Sequence, residues 1–137
     1  MTVAVLMVAA LGLGGCAAGS PDISVPTPSP TASAVPTLPP GSVTLTSMGL
    51  GHAPSGFAVP SGLTPLMTIN EANVVTLEVD VADGKTLHDF LMLHLPGMGW
   101  RIAASSADSI IFAAGGWQGA FTMSSANAML TLRDQPL

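Results

Sequence analysis

Charged side chains are scarce in this chain of 137 residues, and positive ones are the scarcest. Lysine and arginine together number 3, aspartate and glutamate number 8, and the formal net charge is −5. Charged residues make up 8% of the chain, where about 25% is usual. Lys85, Arg101 and Arg133 are too few to form a basic patch that neutralises phosphate groups. We therefore expect no nucleic-acid partner and no polybasic contact with a membrane surface.

The first apolar run is too short to cross a bilayer. Residues 3–13 read VAVLMVAALGL, whereas a spanning helix needs roughly 20 apolar residues. This length fits the apolar region of a secretory signal peptide. The alternative is a retained membrane helix that continues through Ala18, which three glycines before Cys16 would weaken. Met1 and Thr2 lack the positive charge typical of a signal start, so we expect the true start further upstream.

Cys16 is the only cysteine, so the chain can form no intramolecular disulfide and a folded domain must be held by its core. It follows the apolar run in the sequence Leu13-Gly14-Gly15-Cys16. This tetrapeptide resembles the lipobox of bacterial lipoproteins, in which a peptidase cuts just before the cysteine and the thiol carries a diacylglycerol. The resemblance implies an exported protein that fatty acyl chains such as palmitate, attached to Cys16, anchor to the outer face of the cell membrane.

Residues 17–41 contain seven of the twelve prolines and no aromatic residue. A segment rich in Pro, Ser and Thr forms no core, and its composition predicts an extended, solvated tether. With the lipobox, this tether makes the first third of the chain similar to small actinobacterial envelope lipoproteins of unknown function. We divide the chain into a signal peptide at 1–15, a lipidated cysteine with its tether at 16–41, and a single domain at 42–137.

Alternating apolar residues predict a half-buried strand over 74–81, with Val75, Leu77, Val79 and Val81 on the buried side. Asp83-Gly84 then predicts a turn, and the spacing of Thr86 and Asp89 resembles a capping box at a helix start. We expect a helix over 86–95 that ends at Pro96-Gly97, with His88 on its solvent side. Its predicted buried side consists of Leu87, Phe90, Leu91, His94 and Leu95.

Four further apolar segments follow the helix, and the first two are expected to pair as a hairpin. Gly115-Gly116 predicts the next tight turn. The element order β-α-β-β-β-β predicts an α+β fold, with one amphipathic helix on one face of an antiparallel sheet of about four to six strands. Upstream, short edge strands are expected at 43–45 and 66–69. Residues 46–65 are rich in proline and glycine, and we expect an irregular, variable surface there.

The sequence shows no motif for catalysis, for a cofactor or for a metal ion. His88 and His94 are six residues apart, so on a helix they diverge by roughly 120° and cannot share one ion. Three aspartates near the predicted turn lack the spacing of a calcium loop, and no serine lies in a G-x-S-x-G motif. We expect no cofactor, no metal site and no catalytic residue.

Trp117 lies near Gly116 and Gly119, which would leave its indole poorly covered, so it is the leading candidate for a binding residue, with Phe57 as its neighbour. The competing interpretation places Trp117 in the core with Phe121 and Met123. We expect a non-enzymatic binding or structural module of unknown partner, for which an envelope protein and an apolar ligand are the candidates. The alternatives are a carrier of a small apolar ligand or lipid held between helix and sheet, and a hydrolase without a recognised motif. A cavity lined by Met and Leu would favour the carrier, and clustered His, Asp and Ser the hydrolase.

Overall fold

Eight β-strands and one α-helix build the part of the chain that the computed structural model describes, residues 37–135. Cys16, the predicted signal peptide and most of the predicted tether lie outside this range. The helix α1 is Val81–His94. The strands are β1 Ser42–Thr44, β2 Ala58–Pro60, β3 Met67–Glu71, β4 Val74–Asp80, β5 Arg101–Ser105, β6 Ser109–Ala114, β7 Trp117–Met123 and β8 Asn127–Asp134.

Six strands form one antiparallel sheet in the order β3-β4-β8-β7-β6-β5, while β1 and β2 pair separately. The helix packs across the central strands β4, β8, β7 and β6. The predicted α+β fold, with one helix on an antiparallel sheet, is confirmed. The expected hairpin after the helix is also present, since β5 pairs with β6, and Gly115-Gly116 turns the chain into β7 with positive φ at both residues.

The alternating pattern of β4 has the structural meaning that the sequence predicts. Val75, Leu77 and Val79 are buried beneath the helix, and each is at most 1% exposed. Val81 does not continue the strand, because it is the first residue of α1 and is 37% exposed. The strand ends at Asp80, whose side chain accepts a hydrogen bond of 2.8 Å from the backbone N–H of Asp83 and so caps the helix.

The helix begins five residues before the predicted start, so the capping box at Thr86 is wrong. Asp83 and Gly84, which the sequence analysis assigns to a turn, lie in its first turns. Gly84 is buried against β8, and a Cβ atom there would lie 2.3 Å from the Cβ of Ala128. Gly84 therefore allows the helix to approach the sheet closely and does not break the chain into a turn.

The buried side of the helix is rotated by about one residue from the predicted one. Leu87, Leu91 and Leu95 are fully buried as expected. Phe90 is only partly buried, and its ring packs on that of His94 with centroids 4.5 Å apart. His88, expected on the solvent side, has a side chain that is 14% exposed. The buried side begins at Gly84, which lies against Ala128 of β8, and continues from there at every third or fourth residue.

Residues 45–60 form part of the core and not the irregular surface that proline and glycine predict. Phe57 is 1% exposed, and its ring contacts Trp100 edge-on at 5.1 Å and Phe112 at 6.0 Å between centroids. Strand β2 packs against α1. This segment therefore covers the inner face of the sheet beside the helix. Its other buried side chains are Leu45, Leu50, Ala53, Ala58, Val59 and Pro60.

The helix and residues 45–60 both pack on one face of the sheet, which leaves the second face uncovered by any element of residues 37–135. We call this second face the open face. Strand alternation directs the odd-numbered residues of β8 and the even-numbered residues of β7 to it, and the register pairs them with each other. Its exposed apolar side chains are Met67, Ile69 and Ile111.

Candidate binding site on the open face

Two arginines lie in one row across the open face. Arg101 on β5 pairs with Ala113, Ala113 pairs with Gln118, and Gln118 pairs with Arg133 on β8. Residues that pair in an antiparallel sheet point to the same side, so all four side chains lie on the open face. Three strand spacings of about 4.8 Å separate the two arginines, which places their Cα atoms about 14 Å apart.

A depression of about 330 Å³ lies between these arginines, and both line it. Its floor consists of residues with little or no side chain, including Ala113, Gly119 and Ala120. A register shift between Ile102 and Ala104 places the extra residue Ala103 at its rim. The depression therefore lies where longer side chains, those of the two arginines, Gln118 and Ile111, surround very small ones.

A second depression of about 320 Å³ adjoins the first at the Gly115-Gly116 turn and shares Arg101, Ala113 and Gln118 with it. Trp117 lines this second depression and also packs against the core. Its indole is half-buried, so it is neither a fully exposed patch nor a fully buried core residue. This half-buried position does not test the predicted binding role of Trp117, which stays a prediction.

Phe57, the expected neighbour of Trp117, does not reach the surface. Its ring lies in the core with Trp100 and Phe112, so the expected exposed aromatic pair is not formed. The glycine that was expected to expose the indole is itself covered: a Cβ atom at Gly119 would lie 2.0 Å from the ring of Phe112. No local sequence pattern predicts this contact, because the two residues meet only through the pairing of β6 with β7.

The two arginines have no carboxylate partner within 4.0 Å among residues 37–135. In that part of the chain, the fixed cation that has a carboxylate partner is Lys85, which lies 3.1 Å from Asp89 on the helix. On the open face, the carboxylate of Glu78 accepts a hydrogen bond from the side-chain amide of Asn127. Both guanidinium groups are thus free to bind an anion from solution.

His88, Asp89, Ser106 and Ser109 lie close together. They are the residue types of a serine hydrolase site, but their contacts differ from those of a catalytic triad. One ring nitrogen of His88 lies 3.4 Å from Asp89, and the other lies 3.0 Å from the backbone carbonyl oxygen of Ser106. The hydroxyl groups of Ser106 and Ser109 contact each other at 2.9 Å. A catalytic serine needs its hydroxyl group within hydrogen-bond distance of a histidine ring nitrogen. Here the ring nitrogen of His88 that faces Ser106 contacts the backbone carbonyl oxygen instead. The arrangement instead fastens the helix to the turn between β5 and β6.

Asp89 has a pKa below its ordinary value of 3.8, because Lys85 and then His88 donate hydrogen bonds to its charged carboxylate. The carboxylate is fully exposed and lies away from the two depressions. Among residues 37–135, no three His, Cys, Asp or Glu side chains gather closely enough to hold a metal ion. The titratable groups of the helix thus have a local structural role and form neither a metal centre nor a nucleophile–base pair.

The side chains between helix and sheet form one continuous buried cluster. The first depression lies on the open face, and the second lies at the end of the sheet beside the Gly115-Gly116 turn. Comparisons with protein-family models, with curated protein sequences and with solved structures give no match to this chain. Within residues 37–135, no helix has the length and apolar character needed to cross a membrane.

Arg101 and Arg133 are site residues that the sequence pattern did not predict. The scarcity of fixed cations was the signal that could have pointed to them, since each side chain of this kind is unusual in such a chain. Their position in one row depends on the register of four strands, which no local pattern records.

Proposed function

We propose that this protein is a non-enzymatic binding module held at the outer face of the cell membrane by a lipid on Cys16. The sequence Leu13-Gly14-Gly15-Cys16 supports the lipid anchor, and the proline-rich composition of residues 17–41 supports a tether between anchor and domain. The depression between the two arginines of the open face supports the binding role. It is an uncovered concave surface whose two guanidinium groups have no carboxylate partner within residues 37–135.

The geometry favours a binding module over the two alternatives. A carrier of an apolar ligand would need space between helix and sheet, where the side chains form one continuous buried cluster. A hydrolase would need a nucleophile in contact with a base, and the ring nitrogen of His88 that faces Ser106 contacts its backbone carbonyl. The binding module requires only the surface that the sheet leaves open.

The anchor is tested by changing the thiol that would carry the lipid. In the Cys16→Ser variant we expect the loss of incorporated labelled palmitate and of membrane retention, because no other thiol exists in the chain. Membrane fractionation and fatty-acid labelling measure both effects. The Ser20→Ala variant, changed four residues further on, is the matched control and should behave as the unaltered protein. Membrane retention that persists in Cys16→Ser would favour a retained helix and refute the lipid anchor.

A further inference from the structure

We infer that the depression between Arg101 and Arg133 binds a small organic anion through two carboxylate or phosphate groups, one on each guanidinium. This inference rests on the proposed binding function and names its ligand class. Guanidinium groups present a planar fork of donors that matches the two oxygens of a carboxylate or a phosphate. Two such forks at opposite ends of one depression favour a ligand with an anionic group at each end.

The distribution of charge is the first support. The chain has only 3 fixed cations, and two of them line this single depression. The acidic residues number 8, so carboxylates outnumber the fixed cations in this chain. Among residues 37–135 neither arginine has a carboxylate within 4.0 Å. The depression is thus a positively charged site on a protein that is negative overall.

The lining between the arginines is the second support. Gln118 stands between them in the same row and adds a neutral amide that can donate to an oxyanion. Ile111 and Ala120 add apolar surface that suits the carbon skeleton of an organic ligand. The volume of about 330 Å³ lies within the range of pockets that hold small molecules. A small molecule therefore fits the site better than a long polymer does.

The test uses the full chain in neutral detergent, with citrate and inorganic pyrophosphate as probes of the carboxylate and phosphate sources and with acetate as a single-charge comparison. We expect saturable binding of citrate or pyrophosphate by calorimetry, roughly tenfold or more tighter than acetate. The better probe identifies the source of the anion. In NMR spectra, the changes in backbone amide chemical shift on binding should concentrate at Ala113, Gln118 and Ala120. This measurement uses the unaltered chain and so does not depend on whether a variant folds.

The variants Arg101→Gln and Arg133→Gln should each weaken binding of the better probe by roughly tenfold to a hundredfold. The double change should abolish it. The Lys85→Gln variant is the matched control, because it removes the same charge from the helix and should bind as the unaltered chain does. Thermal unfolding of each variant verifies that the fold is intact.

Binding of neither citrate nor pyrophosphate would overturn the inference, as would equal weakening by the Lys85→Gln change or amide shifts away from the depression. Each of these results would leave the proposed function standing if membrane retention still depends on Cys16 and a partner of other chemistry binds the domain. Loss of the Cys16 dependence with intact citrate or pyrophosphate binding would instead refute the lipid anchor alone.

Discussion

Gly84 sets the distance between the helix and strand β8. Alanine is a better helix former than glycine by about 1 kcal/mol, so helix propensity alone predicts that Gly84→Ala stabilises the protein. The contact predicts the opposite, because the new Cβ atom would lie 2.3 Å from that of Ala128. We expect Gly84→Ala to lower the free energy of unfolding by about 1–3 kcal/mol, measured by chemical denaturation.

The control for this change is Gly97→Ala, in the 3₁₀ turn after the helix. A Cβ atom at Gly97 would meet nothing within 4 Å, and the residue does not have a positive φ. We expect little change in stability for this variant. A stability gain in Gly84→Ala would show that the helix does not approach β8 as closely as described.

Leu91 and Phe90 test which side of the helix is buried. Leu91 is fully buried, whereas Phe90 is partly buried and packs on His94. The sequence pattern alone predicts a severe loss for Phe90→Ala, since it places that ring in the core. We now expect Leu91→Ala to cost about 2–5 kcal/mol and Phe90→Ala distinctly less. Chemical denaturation of the two variants side by side measures the difference in the free energy of unfolding. A larger loss for Phe90→Ala would support the buried helix side that the sequence pattern predicts.

At the scale of whole elements, the sequence predicts strands well and the boundaries of the helix poorly. The period-two pattern of β4 is local, and its inward residues Val75, Leu77 and Val79 are buried as predicted. The helix start depends on Asp80 as the cap and on the contact between Gly84 and Ala128, which is far away in the chain. A glycine after an aspartate is typical of a turn, and only this tertiary contact explains its place in a helix.

Residues 46–65 show the same dependence on distant partners. Their prolines and glycines predict an irregular surface, but Phe57 meets Trp100 and Phe112, which come from later parts of the chain. Part of the candidate site was open to prediction, because Trp117 lines one of the two depressions. The row that joins Arg101 to Arg133 was not, because it requires the register of β5, β6, β7 and β8.

At the scale of the molecule, the domain begins before the predicted boundary at residue 42. Ser42 donates hydrogen bonds to the carbonyl oxygen of Pro39, and Ser61 donates two, from its N–H and its hydroxyl, to that of Gly41. We expect chains that start at Thr37 or at Ser42 both to unfold cooperatively, since the buried cluster lies beyond both starts. The shorter chain should be less stable by about 1–3 kcal/mol, because it loses these acceptors.

Thermal and chemical unfolding of the two shortened chains measures this difference. Equal stability would mean that residues 37–41 contribute nothing to the domain. Failure of both chains to unfold cooperatively would mean that the first 36 residues are needed for the fold.

Under the proposed function, the domain lies outside the membrane with its open face free to bind. Labelling with a membrane-impermeant maleimide on intact cells tests this most directly, because the one native thiol is lipidated in our account. Ile111 is 44% exposed and lies beside the two arginines. We predict that Ile111→Cys reacts with the maleimide on intact cells. The reaction should be slower in the presence of citrate or pyrophosphate, whichever binds more tightly. Val75→Cys, at a buried position, and the unaltered chain should not react. Reaction of Ile111→Cys only after the cells are broken, or reaction of the unaltered chain, would contradict the account.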